Sequence, residues 1–183
     1  MNRKRAASRG KKINPHYWIY CEGETEAAYV SFLRNKYRIQ IEIIPKLSGS
    51  HISKDHIIKS KQGQPQDKKD KDFLLYDADV PEMLERLQSI PGVSLIVSNP
   101  SIELWFLLNY KDQKAFITTE DCVKELCHRN RNVYRKGVID DKLKEKLSKN
   151  CSIACKHAKS MELFKNPSSN MYILIEAIEE VKK

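Results

Sequence analysis

Through the first 110 residues, short unbroken apolar runs alternate with segments whose apolar positions recur every three or four residues. Tyr17-Trp18-Ile19-Tyr20-Cys21 is one such run and predicts a strand over 17–21. Tyr29, Val30, Leu33 and Tyr37 form one stripe, which predicts a helix over 24–36. Ile39, Ile41 and Ile43 alternate with Gln40 and Glu42, the pattern of a second strand over 39–45. A short helix is expected near 52–60. The stretch from Gln62 to Lys71 is poor in apolar residues and holds a Gly, a Pro and many Lys and Asp, so it is expected as a loop. Phe73-Leu74-Leu75-Tyr76 predicts a third strand over 72–76, and Val93 to Ser98 a fourth. Between them a helix over 80–89 carries Pro81 in its first turn, where proline is tolerated. Asn99 reads as an N-cap with Pro100 at N1, opening a helix from Ser101 to Asn109. Four strand–helix alternations predict an α/β fold with a mostly parallel, four-stranded sheet flanked by helices.

Beyond Tyr110 the strand signal stops. Segments 119–129, 139–149, 151–164 and 169–181 read as helices, the last with Leu174, Ala177, Ile178 and Val181 on one face. This helical C-terminal half, about 111–183, is either an appendage or a set of helices packed on the sheet. The expected organisation is a basic arm over 1–15, ending at Pro15, and a single domain over 16–183. At 183 residues the chain is long enough for one well-cored domain.

Charge sharpens the picture at the N-terminus. The chain carries a net +9, and residues 1–12 contribute Arg3, Lys4, Arg5, Arg9, Lys11 and Lys12 with no acid. Such a block is either a solvated tail or an arm that finds phosphate backbone through counterion release, with Arg3, Arg5, Lys11 and Lys12 as candidate contacts. No apolar run is long enough to span a membrane, and no apolar segment follows the basic residues to make a secretory signal. Five cysteines, an odd number, favour reduced thiols and a cytoplasmic setting. Cys122, Cys127, His128, Cys151, Cys155 and His157 invite a zinc reading, but no pair has C-x2-C spacing, and core thiols are the preferred reading.

Two acidic clusters carry the candidate chemistry. Glu22-Gly23-Glu24-Thr25-Glu26 follows the first strand, and Asp77-Ala78-Asp79 follows the third. Carboxylates beside apolar strands are costly unless something pairs with them. In an open α/β sheet the carboxyl ends of strands are where ligands sit. Glu22, Asp77 and Asp79, the last two on one side if Asp-x-Asp is extended, therefore form a candidate set for Mg²⁺ or Mn²⁺, of the kind that serves phosphoryl chemistry. Gly23 would let the chain turn beside Glu22. Glu24, Glu26 and Asp79 also suit helix first turns without any function.

That joint pattern resembles the Toprim fold of topoisomerases, bacterial primases and overcoming-lysogenization-defect nucleases, marked by a Glu-Gly after the first strand and an Asp-x-Asp after a later one. Further marks follow in order: Cys21 to Glu26, Ser98-Asn99-Pro100-Ser101-Ile102-Glu103-Leu104-Trp105-Phe106-Leu107-Leu108, Tyr134-Arg135-Lys136, and Asn166-Pro167-Ser168-Ser169. Together they resemble the RloB-like family over about residues 16–181, with Ser169 standing where Thr is expected. The resemblance implies a Toprim-like fold and a place in bacterial anti-phage defence or abortive infection. It implies Glu22, Asp77 and Asp79 as the metal and catalytic set. The activity expected is Mg²⁺-dependent hydrolysis of RNA or DNA phosphodiesters. The alternative is a non-catalytic subunit that binds a nucleotide or a partner. No Gly-x4-Gly-Lys-Ser/Thr occurs, so an ATPase motor would be another chain. A dimer is a further expectation.

Secondary candidates lie near the same rim. Glu103 is a further catalytic candidate or an ordinary first-turn acid. Asn99 and Ser101 suit phosphate contact or capping, and Gly23 and Glu26 would support the site. Arg131, Tyr134 and Lys136 interleave basic and aromatic character, which suits stacking and backbone contact on a single strand.

Overall fold

The computed structural model describes residues 15–38 and 42–181. The basic arm, and the part of the second predicted strand over 39–41, lie outside the described residues. Strand β1 (His16–Cys21) leads into helix α1 (Glu24–Tyr37), then β2 (Glu42–Leu47), a 3-10 turn at Gly49–His51 and α2 (Lys54–Ser60). Next come β3 (Lys71–Asp77), α3 (Pro81–Gln88), β4 (Ser94–Asn99) and α4 (Ile102–Leu108). The rest of the chain forms α5 (Thr119–Asn130), α6 (Asp141–Lys149), α7 (Cys151–Lys159), β5 (Ser168–Ser169) and α8 (Tyr172–Glu180).

The sheet has five strands in the order β2-β1-β3-β4-β5, parallel except for β5. Both of its faces are covered, which is why β1 and β3 read as continuous apolar runs rather than alternations. Tyr17, Ile19, Cys21, Phe73, Leu75 and Ile96 point into one core, shared with α1 and with α4 to α8. Trp18, Tyr20, Leu74 and Tyr76 point the other way, onto Ile57 of α2, Leu87 of α3, Ile52 and Ile90. The helical half is thus packed on the sheet, continuous with the α1 layer. Each large side chain buried in these layers contributes about 1.5–3 kcal/mol. Trp105 is the largest of the fully buried ones, and its indole N–H donates to the Tyr29 hydroxyl at 2.7 Å.

Two expectations are corrected. The last helix starts at Tyr172 rather than at 169, and Ser168–Ser169 form a strand, adding a fifth to the four predicted. Asn170 accounts for it: its carboxamide accepts from Val97 N (2.6 Å) and donates to Leu95 O (2.9 Å), while its own N–H donates to Val97 O (3.1 Å). Ser98 and Ser169 hydroxyls meet at 2.9 Å beside it. Second, Asn99 does not cap α4. It ends β4 and donates to Phe164 O at 2.9 Å, and Ser101 occupies the N-cap position.

Asn170→Ala would leave the buried Val97 N–H and the half-buried Leu95 carbonyl of β4 without their Asn170 partner, each worth about 1–3 kcal/mol. Urea unfolding should show a loss of about 2–4 kcal/mol in Asn170→Ala, with β5 and the start of α8 losing amide-exchange protection first.

Candidate functional site

The chain leaves β1 toward β2 on one side of the sheet and returns to β3 on the other, so the direction of winding changes between β1 and β3. Their carboxyl ends border the crevice that such a switch point creates. Glu22 follows β1 and Asp77 ends β3. Glu22 N donates to Leu75 O at 3.1 Å, which holds Glu22 in register with β3. Its carboxylate Oε2 then accepts from Asp77 N at 2.9 Å. Asp77 Oδ1 in turn accepts from Ile102 N at 2.9 Å. Asp77 therefore caps α4 from the neighbouring strand, the task the sequence suggested for Asn99. Ser101 is released from capping, and its hydroxyl donates to Glu103 Oε2 at 2.7 Å.

Glu26 enters from the first turn of α1. Gly23 N donates to its Oε2 at 2.9 Å, folding the carboxylate back over the turn. A Cβ on Gly23 would stand 3.0 Å from that same oxygen, so glycine is needed here for the close approach. Glu103 is buried at the base of α4. Its second oxygen, Oε1, accepts from the Tyr134 hydroxyl at 2.9 Å. The loop carrying Tyr134 is pinned again one turn on, where Gly137 N donates to Thr25 Oγ1 at 2.9 Å. Gly137 has φ +76°, and an added Cβ would contact Glu24. The result is a crevice of about 330 Å³ lined by Glu22, Glu24, Glu26, Asp77, Glu103 and Lys136, with Gly23, Thr25 and Gly137.

Electrostatics mark this crevice as strained. Burial pushes the Asp77 carboxyl up to about 9, and the charges of Glu26, Glu22, Glu103 and Asp79 add to the effect. Burial also raises Glu26, with Glu103 and Glu22 contributing the same way, against hydrogen bonds that lower it. Among the described residues no ion pair involves Glu22, Glu26, Asp77 or Glu103. Oxygen donors crowded without an ion-pair partner are what a hard divalent cation relieves. The donor chemistry therefore fits Mg²⁺ or Mn²⁺. The carboxylates are nevertheless tied into hydrogen bonds, and among the described residues no three His, Cys, Asp or Glu side chains are set as a ready-made cage.

The remaining sequence candidates sort by place. Asp79 is exposed on the turn before α3 and does not line the crevice; it acts on Asp77 through space. The strand ends at Asp77, so the expected same-side pairing of an extended Asp-x-Asp does not form. Asn99 and Ser101 are engaged with Phe164 and Glu103. Tyr134 is buried against Phe106, with ring centroids 6.4 Å apart, so it braces Glu103 rather than offering an open stacking face. Burial and Glu103 hold its phenol protonated, well above its ordinary range. Arg131 is exposed at the C-cap of α5, and Lys136 is exposed at the crevice lip. Arg3, Arg5, Lys11 and Lys12 lie outside the described residues. The five cysteines are free thiols, Cys21, Cys122 and Cys151 buried and Cys127 and Cys155 half-buried. The residues the sequence left unassigned are Thr25 and Gly137, whose contact spans 112 positions.

The molecule is thus an α/β protein with an open, mostly parallel sheet and an acidic crevice at its switch point. Its sequence matches the family described as RloB-like protein over residues 17–178, and the chain belongs to that family. Neither the curated proteins nor the solved structures include a match to it. Among the described residues no helix is long and apolar enough to cross a membrane.

The Asp77 carboxyl lies above its ordinary value near 3.8, so the native state holds a proton there that the unfolded chain has released. Its stabilising contribution is complete below about pH 4 and is lost as pH rises toward about 9. Without divalent cations, the melting temperature should fall across this range. Asp77→Asn keeps a cap acceptor and removes the ionisation, so it should melt higher than wild type at pH 8 and flatten the profile.

Proposed function

We propose that this chain is a Toprim-type, Mg²⁺-dependent phosphodiesterase acting on RNA or DNA. The observation that carries the reading is the group of buried and half-buried carboxylates at the switch point, with no ion-pair partner among the described residues and with Asp77 pushed up to about 9. Perturbed acids in a crevice mark a candidate functional site. Glu22, Asp77 and Glu26 would hold the cations, and Asp79 lies close enough to add charge at the lip. Bound there, Mg²⁺ supplies charge for phosphate oxygens and lowers the pKa of a coordinated water. The chain's own residues order the site. Asp77 N fixes Glu22, Ile102 N fixes Asp77, and Ser101 and Tyr134 fix Glu103. The exposed Lys136 and Arg131 are suited to the nucleic-acid backbone.

The family resemblance supports a setting in anti-phage defence in the cytoplasm, with any ATPase supplied by a separate chain. A second reading is a subunit that binds a nucleotide or partner in this crevice without chemistry. It is favoured by the hydrogen bonds that already occupy Glu22, Glu26, Asp77 and Glu103.

Purified protein should cleave labelled RNA or DNA with Mg²⁺ or Mn²⁺, stop with EDTA, and lose at least about a hundredfold in rate in Glu22→Gln and Asp77→Asn, the scale of removing one group that stabilises transition-state charge. Cleavage unchanged in both variants would refute the metal assignment. Nucleotide or partner binding with no turnover would establish the second reading.

A further inference from the structure

Five carboxylates line the crevice, and among the described lining residues Lys136 is the one cation. Its position is built. On one side Tyr134, two residues earlier, is anchored through its hydroxyl to Glu103. On the other side Gly137, the next residue, is anchored through its N–H to Thr25 in the first turn of α1. Gly137 adopts φ +76° and brings the backbone to within contact of Glu24. The three-residue step from Tyr134 to Gly137 is therefore held at both ends on the acidic wall. Lys136 stands between the anchors and faces the crevice from the helical half of the chain.

An ammonium beside several carboxylates would ordinarily close onto one of them. Here no ion pair joins Lys136 to Glu22, Glu24, Glu26, Asp77 or Glu103 among the described residues. Each of Glu22, Glu26, Asp77 and Glu103 is instead held by a backbone N–H or a hydroxyl. The lysine is thereby left for a ligand, and the sign of its charge selects an anion. An ammonium on a flexible stem is a point-charge phosphate binder, suited to one non-bridging oxygen rather than a bidentate clamp.

We infer that Lys136 is a substrate-binding residue that contacts the phosphodiester group seated in the crevice, so that the phosphate lies between the carboxylate wall and the 134–137 loop. The inference rests on the phosphodiester reading above and adds a contact from the opposite half of the chain. It also makes the loop a part of the site. Tyr134 and Gly137 are positioning residues whose anchors keep the lysine over the crevice.

The test is oligonucleotide binding with Ca²⁺ in place of Mg²⁺, followed by fluorescence anisotropy as KCl is varied, with one RNA and one DNA probe of the same mixed sequence. Wild type, Lys136→Met, Lys136→Arg, Asp77→Asn and Lys144→Met are compared, Lys144 being paired with Asp141 on the surface of α6. Lys136→Met should weaken binding about tenfold. It should also reduce the slope of log affinity against log salt by about 0.7, one phosphate contact on a single strand. Lys136→Arg should keep the slope, and Lys144→Met should match wild type. The RNA and DNA arms show which backbone is preferred. An unchanged slope and affinity in Lys136→Met overturns the inference, as does wild-type protein that binds neither probe in a salt-dependent way. Cleavage lost in Asp77→Asn but intact in Lys136→Met would remove Lys136 while leaving the proposed activity standing. Equal melting temperatures for wild type and Lys136→Met show that folding is not the cause of any loss.

Discussion

One short chain of hydrogen bonds ties the ends of three strands together: Asp77 N to Glu22 Oε2, and Ile102 N to Asp77 Oδ1. It links the turn after β1, the end of β3 and the start of α4 after β4. The same carboxylates that make the site acidic therefore also close the carboxyl edge of the sheet. Their burial is unfavourable by itself, because charge is moved from water into a region of low polarity. The fold offsets part of that cost with backbone N–H donors, and Asp77 offsets more by remaining protonated. A structure arranged only for stability would gain by replacing such a cluster with apolar side chains. That these acids stay crowded, buried or half-buried, and without an ion-pair partner among the described residues is the physical ground for proposing a cation and phosphate site.

The helical half contributes more than a cover. Its helices share one core with α1 on one face of the sheet, and its 134–137 loop reaches back to the acidic wall. Tyr134 and Ser101 between them occupy both oxygens of Glu103, which sets the orientation of that carboxylate. Local order at the rim thus depends on contacts made 31 and 112 residues apart along the chain.

The layered α/β architecture was legible because strands buried on both faces leave unbroken apolar runs, and β1 and β3 do. Glu22 and Asp77 were legible as a pair because each follows such a run directly. Asp79 was misplaced because an alternation rule holds only while the strand continues, and β3 stops at Asp77. The cap of α4 was assigned to Asn99 because Asn-Pro-Ser suits a local cap. The actual acceptor comes from another strand, 25 residues earlier in sequence. β5 was hidden for a similar reason. Two residues carry no periodicity, and they are held extended by Asn170 bonding across to β4. Tyr134 looked like an exposed aromatic in a basic loop, since nothing nearby in sequence announces that Glu103 waits for its hydroxyl.

For the proposed Glu22–Glu26–Asp77 wall to bind a divalent cation, Asp77 must give up its proton. Calorimetric titration with Mn²⁺ at pH 7.5, repeated in buffers of different ionisation enthalpy, measures both at once. Saturable Mn²⁺ binding is expected, accompanied by release of about one proton, with both lost in Asp77→Asn. Absence of Mn²⁺ binding, or binding that releases no proton and survives Asp77→Asn, would contradict it.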